Sequence, residues 1–316
     1  MNRYVPAPVI GSVAFVAFVL NTLFWFPFLM ATAIVRIVVP WGPVVGACRR
    51  AAEWIAASWI RFNVAGLKVA ERMTWQVTLP DGLQRRGWYL VTSNHRSAVD
   101  IVILQWLFLD RIPMLKFFLK SELIWVPVLG LAWWALEFPF MRRYRRDVLE
   151  RRPDLKRRDL DTTRRVCERF RDAPVSILNF LEGTRFTPAK RDRRGSPYRH
   201  LLAPRAGGVA QVVSTLGDRL SSWLDVTIVY PRGTPTFWHL ISGQVGEVRV
   251  HVDPVPIDPA WTGRDYEADL PFRAELQEFV RGLWSVKDGR VASMLGPQAG
   301  AAEAAATDEG RVFEEQ

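Results

Sequence analysis

Cysteine and histidine are scarce in this chain of 316 residues, with two Cys and four His. Cys48 and Cys167 lie far apart in sequence, which argues against a disulfide framework and against thiolate metal ligation. They read as isolated reduced thiols. No cluster of His, Cys and carboxylates has metal-ligand spacing, so neither a metal nor any other cofactor is expected. A Gly-x-Ser-x-Gly elbow is absent, which removes the usual serine hydrolase arrangement. Internal repeats are absent too. Negative charge is in deficit: 32 Asp and Glu face 42 Lys and Arg, a formal net charge of +10. Such a balance points to anionic partners: nucleic acid, a phospholipid surface or a phosphorylated substrate. No recognition-helix pattern or nucleic-acid signature is present, while 14 Trp and 18 Phe gather near apolar runs. Anionic membrane lipids are therefore the expected partners, and nucleic acid is not.

Charge is missing altogether from residues 9–35. A bilayer needs about 20 apolar residues, so this stretch is long enough to cross one. It is too long before Ala31-Thr32-Ala33 for a signal peptide. Asn21 and Pro27 leave two geometries open, a single span and a re-entrant hairpin in one leaflet. Arg36, Arg49 and Arg50 outnumber Arg3 and place the C-terminal bulk in the cytoplasm. Residues 51–62, with Trp54, Ile55, Trp59 and Ile60 beside Glu53 and Arg61, read as an interfacial helix.

Beyond that region the pattern is α/β. Strand-like runs fall at 74–79, 88–92, 175–180, 224–230 and 245–252, with helical stretches between them. Residues 142–170 mix Arg with Asp and Glu and read as an exposed helix. After Met294 the Ala, Gly and Glu content predicts a disordered tail. The expected organisation is an anchoring segment over 1–62, a catalytic domain over 63–293 and a tail over 294–316.

Three blocks stand at the ends of apolar runs. Asn94-His95-Arg96-Ser97-Ala98-Val99-Asp100 places an imidazole and a carboxylate five positions apart. In a regular helix the two would point about 140° apart. The pair meets only if His95 lies in the turn before a helix and Asp100 returns beneath it. An imidazole so held can take a proton from a hydroxyl, with the carboxylate fixing its tautomer. Phe138-Pro139-Phe140-Met141-Arg142-Arg143 brings two guanidinium groups to a strand end. In Phe180-Leu181-Glu182-Gly183-Thr184-Arg185, glycine permits a tight turn and arginine can grip a phosphate at two points. Glu182 would repel a phosphate, so it is expected to hold Arg185, Arg143 or a backbone N–H.

In this order the blocks resemble those of the glycerolipid acyltransferases, the 1-acylglycerol-3-phosphate acyltransferases and their relatives. Leu202-Ala203-Pro204-Arg205-Ala206-Gly207-Gly208 and Val226-Thr227-Ile228-Val229-Tyr230-Pro231 look like the lysocardiolipin-acyltransferase branch, which has bacterial members. The likeness covers roughly residues 70–257. One departure is the second block, where Pro139 and paired arginines stand in place of an upstream Gly and a single Arg. Counting from the aromatic, Arg143 fits the family position, with Arg142 as a substitute.

The resemblance implies a mixed central sheet flanked by helices, preceded by an N-terminal membrane helix or helical hairpin. It implies transfer of a fatty acyl group from acyl-CoA or acyl carrier protein to a lysophospholipid hydroxyl, foremost 1-acylglycerol-3-phosphate giving phosphatidic acid. His95 would be the general base and Asp100 its orienter. Asn94, Arg143, Glu182, Gly183, Thr184 and Arg185 would form the acceptor site. The setting would be a cell inner membrane with the catalytic domain facing the cytoplasm. Remodelling of lysophosphatidylglycerol or lysocardiolipin, and a non-catalytic lipid-binding role, are the alternatives. The Trp-rich stretch 125–134 would line an acyl channel, lie on the membrane, or pack in the core.

Overall fold

The computed structural model of the chain describes residues 5–69, 73–141, 167–168 and 170–296. The uncharged N-terminal stretch forms one helix, α1 (Ala7–Val38), with proline in its first turn, where a missing N–H leaves no bond unmade. α1 is long and apolar enough to cross a membrane. Phe15, Leu20, Phe24 and Ile37 on it are exposed. It runs unbroken through Asn21 and Pro27, so no re-entrant turn forms there. The chain reverses after Val38, and α2 (Gly42–Val69) packs back along α1. Asn21 is satisfied by this partner: its Nδ2 donates to Trp59 O at 3.0 Å and to Asn63 Oδ1 at 3.1 Å. Trp59 Nε1 returns a bond to Thr22 Oγ1 at 3.0 Å. Residues 51–62 are thus the middle of α2, a helix that continues past 62.

Short elements follow: β1 (Thr74–Thr78), β2 (Tyr89–Ser93), α3 (Val99–Phe108), β3 (Leu115–Phe117), β4 (Leu119–Lys120), α4 (Leu129–Ala135) and β5 (Phe140–Met141). Then come β6 (Ser176–Phe180), α5 (Pro188–Arg194), α6 (Gly207–Leu216), β7 (Ser222–Val229), α7 (Phe237–Ile241), β8 (Glu247–Val255) and α8 (Leu270–Leu295). Six strands form one sheet in the order β1-β8-β7-β2-β6-β3, parallel at every step except β7–β8; β4 and β5 pair separately. This is the mixed α/β sheet flanked by helices. All five residues of β2 are buried, as a continuous apolar run in a central parallel strand should be. One face packs on Val209, Val213, Phe272 and Trp284 from α6 and α8; the other packs on Ile103, Leu107 and Phe108 from α3.

Both ends of α1 dock on this domain. A Cβ on Gly11 would come within 2.8 Å of the Trp238 indole, and Phe18 meets Phe237 edge-on at 5.9 Å. Leu29 and Ala33 pack with Ala52, Ile55 and Ala135. Arg49 forms a two-point pair with Glu137 at 3.0 and 3.1 Å, and Arg36 approaches the same carboxylate at 3.4 Å. Trp125 and Trp134 are exposed, so plain core packing does not explain them.

The helix anticipated over 142–170 lies almost wholly outside the described residues, as do Arg142, Arg143 and the tail from 297. Cys167 is buried, and burial pushes its thiol up to about 12, which makes it unreactive.

Candidate active site

β2, β6 and β7 run parallel, so their carboxyl ends open on one crevice, the usual place for a site in such sheets. Asn94 follows β2. Its carboxamide donates to Ile228 O at 2.9 Å and accepts from Ile228 N at 2.8 Å. This extends the β2–β7 ladder by one side chain. Asn94 is fully buried, so both of its polar atoms serve the backbone rather than a ligand.

His95 turns out of the sheet. Its ring stacks on Phe180 at the end of β6, 4.0 Å between centroids and 18° from parallel. Its side chain keeps 16% exposure, enough for a substrate to reach it. Nδ1 lies 2.9 Å from Asp100 Oδ2. The turn 96–98 brings Asp100 back beneath the ring at the start of α3. The same carboxylate oxygen accepts Arg96 N at 2.6 Å and Ser97 N at 2.9 Å, and the other accepts the Tyr230 hydroxyl at 2.7 Å. Burial, and then Asp100 itself, hold the Tyr230 phenol well above its ordinary value, so it remains a donor. With Nδ1 committed to Asp100, Nε2 is the nitrogen left for proton transfer.

Glu182 is buried and accepts His95 N at 2.9 Å through Oε1 and Leu202 N at 3.0 Å through Oε2. Of the roles anticipated for it, the grip on backbone N–H is the one present among the described residues; Arg143 lies outside them. Burial pushes this carboxyl up to about 7, against the opposing pull of its two N–H bonds and of Arg96 and Lys287. Phe186 N donates to His95 O at 2.7 Å. Both main-chain polar groups of His95 are therefore tied to the segment 182–186.

Gly183 has φ +67, a left-handed conformation that glycine takes freely, and closes a turn through its N–H to Phe180 O at 2.9 Å. Lys190 Nζ bridges Thr184 Oγ1 at 3.3 Å and Arg185 O at 3.0 Å. Arg185 is exposed, and among the described residues no ion pair involves its guanidinium. Arg205 lies alongside: a Cβ on Gly183 would sit 3.5 Å from its Cδ. Lys190 was not singled out from sequence; Phe180, Arg205 and Tyr230 stood within the quoted motifs but were given no role of their own.

An imidazole backed by a buried carboxylate, at the carboxyl edge of a mixed α/β sheet, is an arrangement chemically able to take up a proton. A family model described as "Acyltransferase" matches residues 74–231, half of the chain, and the chain belongs to that family. It is 29% identical over 218 residues to "1-acyl-sn-glycerol-3-phosphate acyltransferase 2" of Brassica oleracea, covering 63% of this chain and 51% of the relative. It is 26% identical over 209 residues to "1-acyl-sn-glycerol-3-phosphate acyltransferase delta" of Homo sapiens, covering 59% and 52%. The chain spans about half the length of the curated relatives it matches. A solved structure, the 1-acyl-sn-glycerophosphate (LPA) acyltransferase PlsC from Thermotoga maritima, aligns at a TM-score of 0.42 and 19% identity over 85% of this chain and 97% of that one.

Proposed function

We propose that the protein transfers a fatty acyl group from a thioester, acyl-CoA or acyl carrier protein, to the free hydroxyl of 1-acylglycerol-3-phosphate, giving phosphatidic acid. The observation that carries this reading is the Nδ1–Asp100 contact with the remaining ring nitrogen available on a partly exposed edge. His95 Nε2 takes the hydroxyl proton as the oxygen attacks the thioester carbonyl. The C–O bond forms, the C–S bond breaks, and the thiolate leaves with the proton returned from His95. No acyl-enzyme is required. Asp100 steadies the imidazolium between the two steps. The relatives' printed names support the choice of acceptor. Asn94, in this reading, positions the β2 exit rather than touching substrate.

Arg185, with Lys190 and the Gly183 turn, is the proposed acceptor-phosphate subsite; Arg143 is assigned to the same role from its position in the second block. Arg185→Lys keeps the charge and loses the planar fork. The KM for lysophosphatidic acid should rise about tenfold, with the KM for the acyl donor little changed, as loss of one two-point charged contact implies. Equal changes for both substrates would count against this assignment. With the phosphate subsite intact, lysophosphatidylglycerol should be the poorer acceptor; the reverse preference would favour the remodelling reading.

The long apolar α1 and the Arg36, Arg49 and Arg50 excess support residence in a cell inner membrane with the catalytic domain on the cytoplasmic side. Alkaline carbonate should leave the full-length protein in the membrane pellet. A fusion at Gln316 should give signal with a cytoplasmic reporter and none with a periplasmic one. The opposite pattern would remove access to acyl donors and overturn the reading.

A further inference from the structure

Between Arg185 and Arg205 inclusive, Lys190 and six Arg stand against a single acid, Asp192, which Arg191 already pairs at 2.7 Å. Helix α5 lies in the middle of this run and is fixed at both ends. Thr187 Oγ1 accepts Lys190 N at 3.2 Å, and Pro188 opens the first turn. Gly195 closes the last turn at φ +57, its N–H on Asp192 O at 3.1 Å. Arg193, Arg194 and Arg199 around that end are exposed, and among the described residues none of them enters an ion pair.

The ridge sits on one face of the sheet. Tyr198 and Leu201 join the core layer of α6 and α8. The Tyr198 hydroxyl donates to Arg281 O at 3.3 Å, and Asp288 accepts Arg199 N at 3.0 Å and His200 N at 2.8 Å. α8 is itself pinned to β7 by Lys287, completely buried, whose Nζ donates to Val226 O at 2.6 Å and meets Asp225 Oδ1 at 2.8 Å. The apolar helices occupy the other face. α1 rests on α7, and Leu240 of α7 and Leu67 of α2 pack in the layer of α3. His95 stands at the edge between the two. Phe186 N bonds His95 O at 2.7 Å, and α5 begins two residues later. Two extended residues and seven helical ones keep the far end of α5 within roughly 20 Å of the base.

We propose that the exposed end of α5, with Arg193, Arg194 and Arg199, docks a soluble carrier protein of acidic surface that presents the acyl thioester to His95. The proposal rests on the acyl-transfer reading and narrows its donor to a carrier protein. The exchange of C–S for C–O is the one already described, and the carrier departs as its free thiol.

Exposed arginines without a carboxylate partner add little to the fold. Held outward on a capped helix, they set up a positive field that draws in an acidic partner and orients it on encounter. A free nucleotide thioester is held in a concave pocket, whereas these three guanidinium groups face solvent. An anionic membrane would need them on the side of α1, and they lie on the opposite face of the sheet. Carboxylates spread over a protein surface match charge spread over a helix end. The crevice is then served from two sides, with lipid arriving along the apolar helices and the thioester from water.

The test compares two donors bearing the same acyl chain, acyl carrier protein and acyl-CoA, on full-length protein in detergent with lysophosphatidic acid as acceptor. Arg193→Glu combined with Arg194→Glu should lower kcat/KM for acyl carrier protein about tenfold or more in low salt, as reversed steering implies. The loss should shrink as salt screens the charges. The kcat/KM for acyl-CoA should stay near wild type. Arg193→Lys combined with Arg194→Lys keeps the charge and should keep most of the carrier-dependent rate. Arg199→Glu should act in the same direction to a smaller extent, and it decides where the double variant does not fold. Equal losses with both donors, no loss with either, or a loss that ignores salt overturns the proposal. So does wild-type protein that uses acyl-CoA and refuses the carrier. Sedimentation with phosphatidylglycerol vesicles should be the same for wild type and the double Glu variant; weaker binding by the variant would assign the ridge to the membrane and overturn the docking.

Wild-type protein that transfers from neither donor would sink the acyl-transfer reading instead, and docking is then read from binding alone. A dye-labelled holo acyl carrier protein, followed by fluorescence anisotropy in low salt, should bind wild type and bind the double Glu variant about tenfold more weakly. Equal binding by the two, or none by wild type, overturns the proposal.

Discussion

Replacing His95 by Ala should leave a folded, membrane-associated protein whose turnover is about 10³-fold lower, within the 10²–10⁴ range for a positioned general base. The fold should survive because the main chain at 95 holds the loop: its N–H is gripped by Glu182 and its carbonyl by Phe186, and neither bond needs the ring. The imidazole contributes the stack on Phe180 and the bond to Asp100. Purified His95→Ala protein assayed with a labelled thioester donor should therefore show an unchanged melting profile and almost no transfer. Retention of more than a tenth of wild-type transfer would mean that another group takes the hydroxyl proton.

Asp100→Asn should cost turnover about 10²–10³-fold by a different route. The carboxylate has two sides with unlike partners. Oδ2 meets three N–H groups, so an amide must present its oxygen there. Its NH2 then faces the Tyr230 oxygen, which can turn from donor to acceptor. The Asn side chain therefore fits, the imidazole keeps its tautomer, and only the negative charge is lost. Adding Tyr230→Phe removes the acceptor that faces that NH2 among the described residues, so the double variant should be distinctly less stable than Asp100→Asn alone. Turnover near wild type in Asp100→Asn would show that stabilising the imidazolium is not part of the reaction. A double variant as stable as the single would show that the amide does not sit this way round.

The strands that position the site were legible because parallel central strands are nearly unbroken apolar runs, as at 89–93, 176–180 and 222–229. β3 was not, since three residues give no periodicity. The condition set by the His-x4-Asp spacing, a turn followed by a returning helix, is met. The bonds of Asn94 to β7 could not be read from sequence, because its partner Ile228 lies 134 positions away and an amide reads equally as ligand contact or ladder step. Glu182 was recognised as unsuited to phosphate, but which N–H groups it holds depends on two loops meeting. Lys287 gave no signal: a lysine in a long charged helix looks like any solvent-facing lysine until the packing of α8 on β7 is known. Residues 51–62 were read as an interfacial helix because their aromatic residues suit a membrane surface; in the structure Trp54 and Trp59 meet Trp25 and Phe18 of α1, while Trp54 and Phe62 also remain exposed.

The double docking of α1 bears on how this protein can be handled. A tethered enzyme can be cut from its anchor and studied as a free domain, because the tether shares no surface with it. Here the helix long enough to serve as an anchor is also a wall. Stripping away residues 1–40 would bare the flank of Trp238 and Phe237 at one end and the pocket of Ala135 at the other, and would leave Glu137 without Arg36. Exposed apolar strips of that kind drive self-association. The shortened chain would be a damaged object rather than a soluble version of the whole, and an assay on it would report the injury along with the chemistry.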